Sequence, residues 1–102
     1  MNKIEIQDAL KKDKIVLFMK GTRNFPQCGF SGRIVDILGQ FNVDYQEYDV
    51  LQDSELREDI KSFSDWPTIP QLYVDEEFIG GSDIVFEMYK EGTIEELLKS
   101  LK

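Results

Sequence analysis

Cys28 is the only cysteine in the 102-residue chain, and the chain contains no histidine. It stands in Cys28-Gly29-Phe30-Ser31, so a serine occupies the place where a second thiol would complete a Cys-x-x-Cys redox pair. A hydroxyl cannot resolve a mixed disulfide, because its alkoxide is inaccessible near neutral pH. With no imidazole, the usual Cys–His activation is also missing. The activation that remains is the unpaired N–H groups and partial positive charge of a helix start, together with the cation of Lys20. A thiol so placed works with an external thiol or with a bound metal. The other reading, a free cysteine as a small buried hydrophobe, fits poorly beside the polar, turn-forming neighbours Pro26, Gln27, Gly29 and Ser31. Thr68-Ile69-Pro70 is the second chemical signal. The proline restricts Ile69 to an extended conformation, and a cis bond there would leave the Ile69 N–H and C=O open to an extended peptide. An ordinary turn proline is the alternative.

The elements that must hold these residues follow from periodicity. Lys3 to Lys12 reads as a helix with Ile4, Ala9 and either Ile6 or Leu10 facing inward. Ile15 to Met19 is a continuous apolar run, suited to a strand buried on both faces. Gly21 to Gln27 is a loop. From Gly29 or Ser31 a helix presents Ile34, Val35, Ile37, Leu38 and Phe41 on one broad face. Val43 to Val50 reads as a strand, and Asp53-Ser54 offers a helix cap before Leu56, Ile60 and Phe63. Gln71 to Val74 and Phe78-Ile79 flank a hairpin turn, and Gly80-Gly81 ends the hairpin. Ser82 or Asp83 caps a helix stopped by Gly92, and Thr93 opens a last one. The order α-β-α-β-α-β-β-α-α predicts an α/β fold with a four-stranded mixed sheet flanked by about five helices. Its first two strands are parallel through a right-handed crossover and its last two antiparallel.

Length fits one domain over residues 1–102. Apolar content of 41% suits a soluble globular chain, and no apolar run approaches the ~20 residues of a membrane helix. The opening residues read as a helix of the mature fold rather than a targeting peptide. One cysteine excludes a disulfide framework and suits a reducing compartment. The net charge of −8 argues against a nucleic-acid partner. Between Lys14 and Val35, however, Lys14, Lys20, Arg23 and Arg33 occur with no acid among them. That run reads either as chance spacing on a small protein or as a local positive field at Cys28.

Four blocks in order carry a family resemblance: Lys20-Gly21-Thr22; Phe25-Pro26-Gln27-Cys28-Gly29-Phe30-Ser31; Trp66 to Val74; and Gly80 to Val85. Together they resemble the thioredoxin superfamily and, within it, the monothiol glutaredoxins of the Cys-Gly-Phe-Ser type, over roughly Ile4 to Leu98. The resemblance implies a thioredoxin-like fold and glutathione laid across the Ile69-Pro70 loop with its thiol at Cys28. Lys20 and Arg57, with Lys61 or Gln71 as further candidates, would meet the glycyl carboxylate. The Ile69 backbone would pair with the cysteinyl part, and Ser82 and Asp83 would hold the γ-glutamyl end. It further implies a [2Fe-2S] cluster shared between two chains in a homodimer, with Cys28 as the protein's ligand. Such clusters take four thiolates, so two glutathiones would complete the set. The function implied is delivery of clusters to apo iron–sulfur proteins, in cluster biogenesis and iron homeostasis, with a BolA-like protein as a further partner. The rival is a glutathione-dependent oxidoreductase that deglutathionylates protein thiols. The place implied is a bacterial cytoplasm first and an organelle matrix second, with neither nucleic acid nor membrane as partner.

Overall fold

A computed structural model describes residues 1–101. The elements are α1 (Lys3–Lys12), β1 (Ile15–Met19), α2 (Gly29–Gln40), β2 (Gln46–Asp49), a 3-10 turn (Val50–Gln52), α3 (Ser54–Ser64), β3 (Gln71–Val74), β4 (Glu77–Gly80), α4 (Ser82–Glu91) and α5 (Thr93–Lys99). The sheet order is β2-β1-β3-β4. β1 is parallel to β2 and antiparallel to β3, and β3 and β4 form an antiparallel hairpin. This is the four-stranded mixed sheet expected from the periodicity.

β1 is buried along its whole length, as an unbroken apolar run requires, because helices cover both faces of the sheet. Alternation splits its side chains. Ile15, Leu17 and Met19 join Leu72 and Val74 of β3 beneath α2, α4 and α5. Val16 and Phe18 join Tyr73 beneath α1 and α3.

Three local expectations need correction. On α1 the buried residues are Ile6, Ala9 and Leu10, spaced three and one apart, and Ile4 is 70% exposed. Ile6 and Leu10 are four residues apart and share a face with Ala9; Ile4 lies half a turn from Ile6. β2 is shorter than expected, because pairing with β1 covers only Gln46 to Asp49. α4 is capped by Gly81 rather than by Ser82 or Asp83, and neither side chain closes the helix end. Asp53 does cap α3, accepting from Leu56 N–H at 3.0 Å.

The register gathers the chemistry at one edge. β3 runs against β1, and Phe18 pairs with Gln71. The Trp66–Pro70 segment that enters β3 therefore lies beside the end of β1, from which Lys20 emerges. Leu72 pairs with Gly80, which brings the start of α4 to the same edge.

Candidate functional site

Cys28 is the N-cap residue of α2, with extended backbone and no side-chain cap. Its thiol is partly exposed. Burial pushes the thiol pKa up. The N–H groups of Ser31 and Phe30, the Ser31 hydroxyl and the charge of Lys20 outweigh that effect, and the net shift is downward. Ser31 is fully buried, and its Oγ accepts the Lys20 N–H at 3.1 Å. The serine at the second thiol position thus joins the end of β1 to the first turn of α2.

A groove of about 540 Å³ opens beside Cys28. Lys20, Arg57, Lys61, Ile69, Ser82 and Asp83 all line it, together with Phe30, Trp66, Pro67 and Ile84. Arg57 and Lys61 are one turn apart on α3, so they present two cations from one helix face. Among the described residues Arg57 makes no ion pair, although Glu55, Glu58 and Asp59 surround it in sequence. Lys61 lies 3.8 Å from Glu58. Asp83 stands at the opposite end, on the first turn of α4, and Arg33 approaches it at 3.4 Å.

The wall between these ends is the segment leading into β3. The Ile69–Pro70 bond is cis, and among the described residues Ile69 makes no backbone hydrogen bond. Gln71, named as a candidate ligand, is fully buried and occupied elsewhere. Its Nε2 donates to the carbonyls of Trp66 at 3.1 Å and Thr68 at 3.2 Å, and its Oε1 accepts from the Tyr73 hydroxyl. Gln71 braces the wall from behind and does not line the groove. The Gly81 backbone packs closely here; a Cβ would lie 3.3 Å from the Pro70 carbonyl and 3.4 Å from Trp66 Nε1. Beside it, Ser82 Oγ is buried with no hydrogen-bond partner among the described residues. With the unpaired N–H groups of the first turn of α4, it makes that end ready for an anion.

The basic run expected around Cys28 disperses in three dimensions. Lys20 alone of the four lines the groove. Arg23 pairs with Glu47, Arg33 with Asp83, and Lys14 reaches the Leu101 carbonyl. The remaining groove cations, Arg57 and Lys61, come from α3.

A thiol at a helix N-cap position, beside a groove with cations at one end and an acid at the other, on a sheet of this order, defines a thioredoxin-like thiol protein. The family model described as Glutaredoxin matches residues 15–79. The probable monothiol glutaredoxin 2 of Rickettsia typhi is 56% identical over 94 residues, covering 92% of this chain and 85% of that protein. The solution structure of reduced poplar apo GrxS14 matches with a TM-score of 0.84 at 45% identity, over 96% of this chain and 90% of that one. The crystal structure of a buckwheat glutaredoxin–glutathione complex has a TM-score of 0.83 at 22% identity over 95% and 86% of the two chains, a likeness of fold. The chain belongs to the glutaredoxin family, in its monothiol branch.

Among the described residues no cluster of three or more His, Cys, Asp or Glu side chains is arranged for a metal ion. No helix there is long and apolar enough to cross a membrane.

Proposed function

We propose that this protein binds glutathione in the groove and carries a [2Fe-2S] cluster, handing it to apo iron–sulfur proteins. The observation that carries the reading is the single groove that brings Cys28, three cations, the Ile69 backbone and the α4 start together. Glutathione is a tripeptide with a carboxylate at one end and a carboxylate with an ammonium at the other. Lys20, Arg57 and Lys61 suit the glycyl carboxylate. The free N–H and C=O of Ile69 suit the cysteinyl amide. Ser82 and the α4 N–H groups suit the γ-glutamyl carboxylate, and Asp83 suits its ammonium. A ligand in that pose brings its thiol to Cys28.

The donor count supports the cluster as cargo. One chain offers one thiolate and no imidazole, whereas such a cluster takes four ligands. Two Cys28 thiolates and two glutathione thiolates make four, so the loaded form is a dimer of chains bridged by its cargo. Phe25 at 74% exposure and Phe30 at 56% flank Cys28 and leave apolar surface for the second chain or for a BolA-like partner. Anaerobic purification with glutathione and iron, followed by native mass spectrometry, tests this. The expected mass is two chains, one cluster and two glutathiones, absent in Cys28→Ser. A cluster that survives dialysis without glutathione, or that persists in Cys28→Ser, overturns it.

The lowered Cys28 thiol favours one second reading, deglutathionylation. There Cys28 thiolate attacks the glutathionyl sulfur of a protein mixed disulfide and expels the protein thiolate. A second glutathione thiolate then attacks that same sulfur, releasing Cys28 thiolate and glutathione disulfide. High turnover in a coupled glutathione-reductase assay, with no cluster on anaerobic loading, would favour it.

A further inference from the structure

Residues 21 to 27 form a small hairpin immediately before Cys28. Gly21 bridges to Pro26. Thr22 and Phe25 exchange backbone hydrogen bonds of 3.3 and 3.1 Å, and Gln27 N–H donates to the Lys20 carbonyl at 2.9 Å. The base is tight. Gly21 has φ +89°, and a Cβ there would lie 2.5 Å from the Phe25 carbonyl oxygen, so only glycine fits. None of these residues lines the groove.

Two elements hold the hairpin from outside. Pro26 lies against Gly32 on the first turn of α2, where a Cβ would meet it at 3.7 Å. The other support is the edge strand β2 with the residue before it. Residues 45, 47 and 49 alternate along that edge, and each receives the loop. Asp49 Oδ1 accepts the Gly21 N–H at 2.8 Å. The Glu47 carboxylate accepts both the Arg23 backbone N–H and its Nε–H. Arg23 Nη2 donates to the Tyr45 carbonyl at 2.6 Å, and the guanidinium lies 4.0 Å from the centre of the Tyr45 ring. One arginine thus fastens the hairpin through a carboxylate, a carbonyl and an aromatic face. A lysine, with one compact charge, cannot reproduce that set.

We propose that Arg23 is a positioning residue for Cys28: clamped to Glu47 and Tyr45, it holds the Gly21–Gln27 hairpin fixed immediately before Cys28, and the fixed hairpin limits approach to the sulfur from that side. Released, the hairpin swings on its Lys20 and Cys28 ends and the sulfur becomes open to bulkier reagents from the hairpin side. The consequence for the proposed function is selectivity. A thiol lying in the groove reaches Cys28, and a larger partner must approach from the groove side rather than across the hairpin. The inference rests on Cys28 as the reacting thiol, and on neither the cluster nor glutathione.

The test compares Arg23→Gln, Arg23→Lys and Glu47→Gln with the parent chain. Each is alkylated at one pH with a small neutral reagent, iodoacetamide, and a bulky neutral one, an N-aryl maleimide. The ratio of the two rates cancels the ionisation of the thiol and reads only the room around it. Lys20, Arg57, Lys61 and Asp83, the charged groups that face the groove, are unaltered in all variants. Amide hydrogen exchange at Gly21, Phe25 and Gln27 is measured alongside. Arg23→Gln and Glu47→Gln should both raise the bulky-to-small ratio several-fold and speed exchange at those amides, and Arg23→Lys should fall between. The two glutamine variants change charge in opposite directions, so a shared direction cannot be a field effect. An unchanged ratio, ratios that move in opposite directions, or protected hairpin amides in both glutamine variants overturns the proposal. Failure of the glutathione or cluster reading would leave these rates untouched.

Discussion

Cys28 and Ser31 stand one helical turn apart, and their chemistry is linked through Lys20. The Lys20 charge helps hold the Cys28 thiol below its ordinary value, and the Lys20 N–H ends on Ser31 Oγ. Lys20→Glu removes one of the groups that lower the thiol pKa and puts an acid in its place. The pKa therefore rises, and less thiolate is present near neutral pH. Iodoacetamide alkylation at pH 7 should slow several-fold, and glutathione binding by calorimetry should weaken. An unchanged rate–pH profile would show that the helix start alone activates the thiol. Ser31→Cys should permit an internal disulfide and raise turnover in the coupled glutathione-reductase assay, because a resolving thiol then stands one turn from Cys28. It also replaces the oxygen that receives Lys20 N–H. Ser31→Ala, which leaves that donor unpaired, should cost about 1–3 kcal/mol in denaturant unfolding. Absence of a disulfide in oxidised Ser31→Cys, read by mass after thiol labelling, would show that the two positions cannot meet.

At the scale of elements, α1 tests which apolar residues the fold uses. Ile6 is fully buried and Ile4 is 70% exposed. Ile6→Ala should cost about 2–5 kcal/mol by chemical denaturation, whereas Ile4→Ala should stay within about 0.5 kcal/mol. β3 carries a pH dependence. Burial pushes the Tyr73 hydroxyl up to about 12, from 10.0 in an exposed tyrosine, against a smaller opposing effect of Ser64. Unfolded chain loses the proton first, so the stabilisation is complete below pH 10 and is lost as pH rises toward 12. Tyr73→Phe should flatten the fall in urea midpoint across that window, and an equally steep fall would place the sensitivity elsewhere. Element order was legible because the periods are clear: an unbroken apolar run in Ile15 to Met19, and threes and fours in Leu56, Ile60 and Phe63. The face of α1 was less so, since Ile4, Ile6, Ala9 and Leu10 fit two overlapping stripes and only packing on Val16 and Phe18 selects between them. Cys28, Lys20, Arg57, Ser82 and Asp83 were placed in one groove through the family resemblance. Spacing alone does not join residues on four elements. The bracing by Gln71 and the clamping by Arg23 escaped for the same reason, because each acts through tertiary hydrogen bonds. For Arg23, the acids alternating at 47 and 49 on a predicted strand were the available hint.

For the molecule as a whole, the cations lining the groove belong to a chain with a net charge of −8. Two such chains repel when they approach, so a bridge between them depends on what they share. The loaded dimer should fall to monomers in sedimentation velocity when the cluster is removed by chelation; a dimer that persists would reveal an interface independent of Cys28. The sheet register has a further consequence, in the order of biosynthesis. Cys28 is synthesised before α3, β3 and α4, the elements that complete its groove. Its groove needs the antiparallel partner of β1, and Ile15 pairs with the distant Val74. Non-local pairing of this kind is slow to form, and a ribosome adds only about 5–20 residues each second. For seconds, the nascent chain therefore carries its thiol with neither the groove wall nor the α4 start behind it. A chain stalled before residue 82 presents a cysteine that reagents can reach and no pocket that can retain a cargo. Competence to hold a ligand is thus a late property, acquired only once α4 has been made and has joined the sheet.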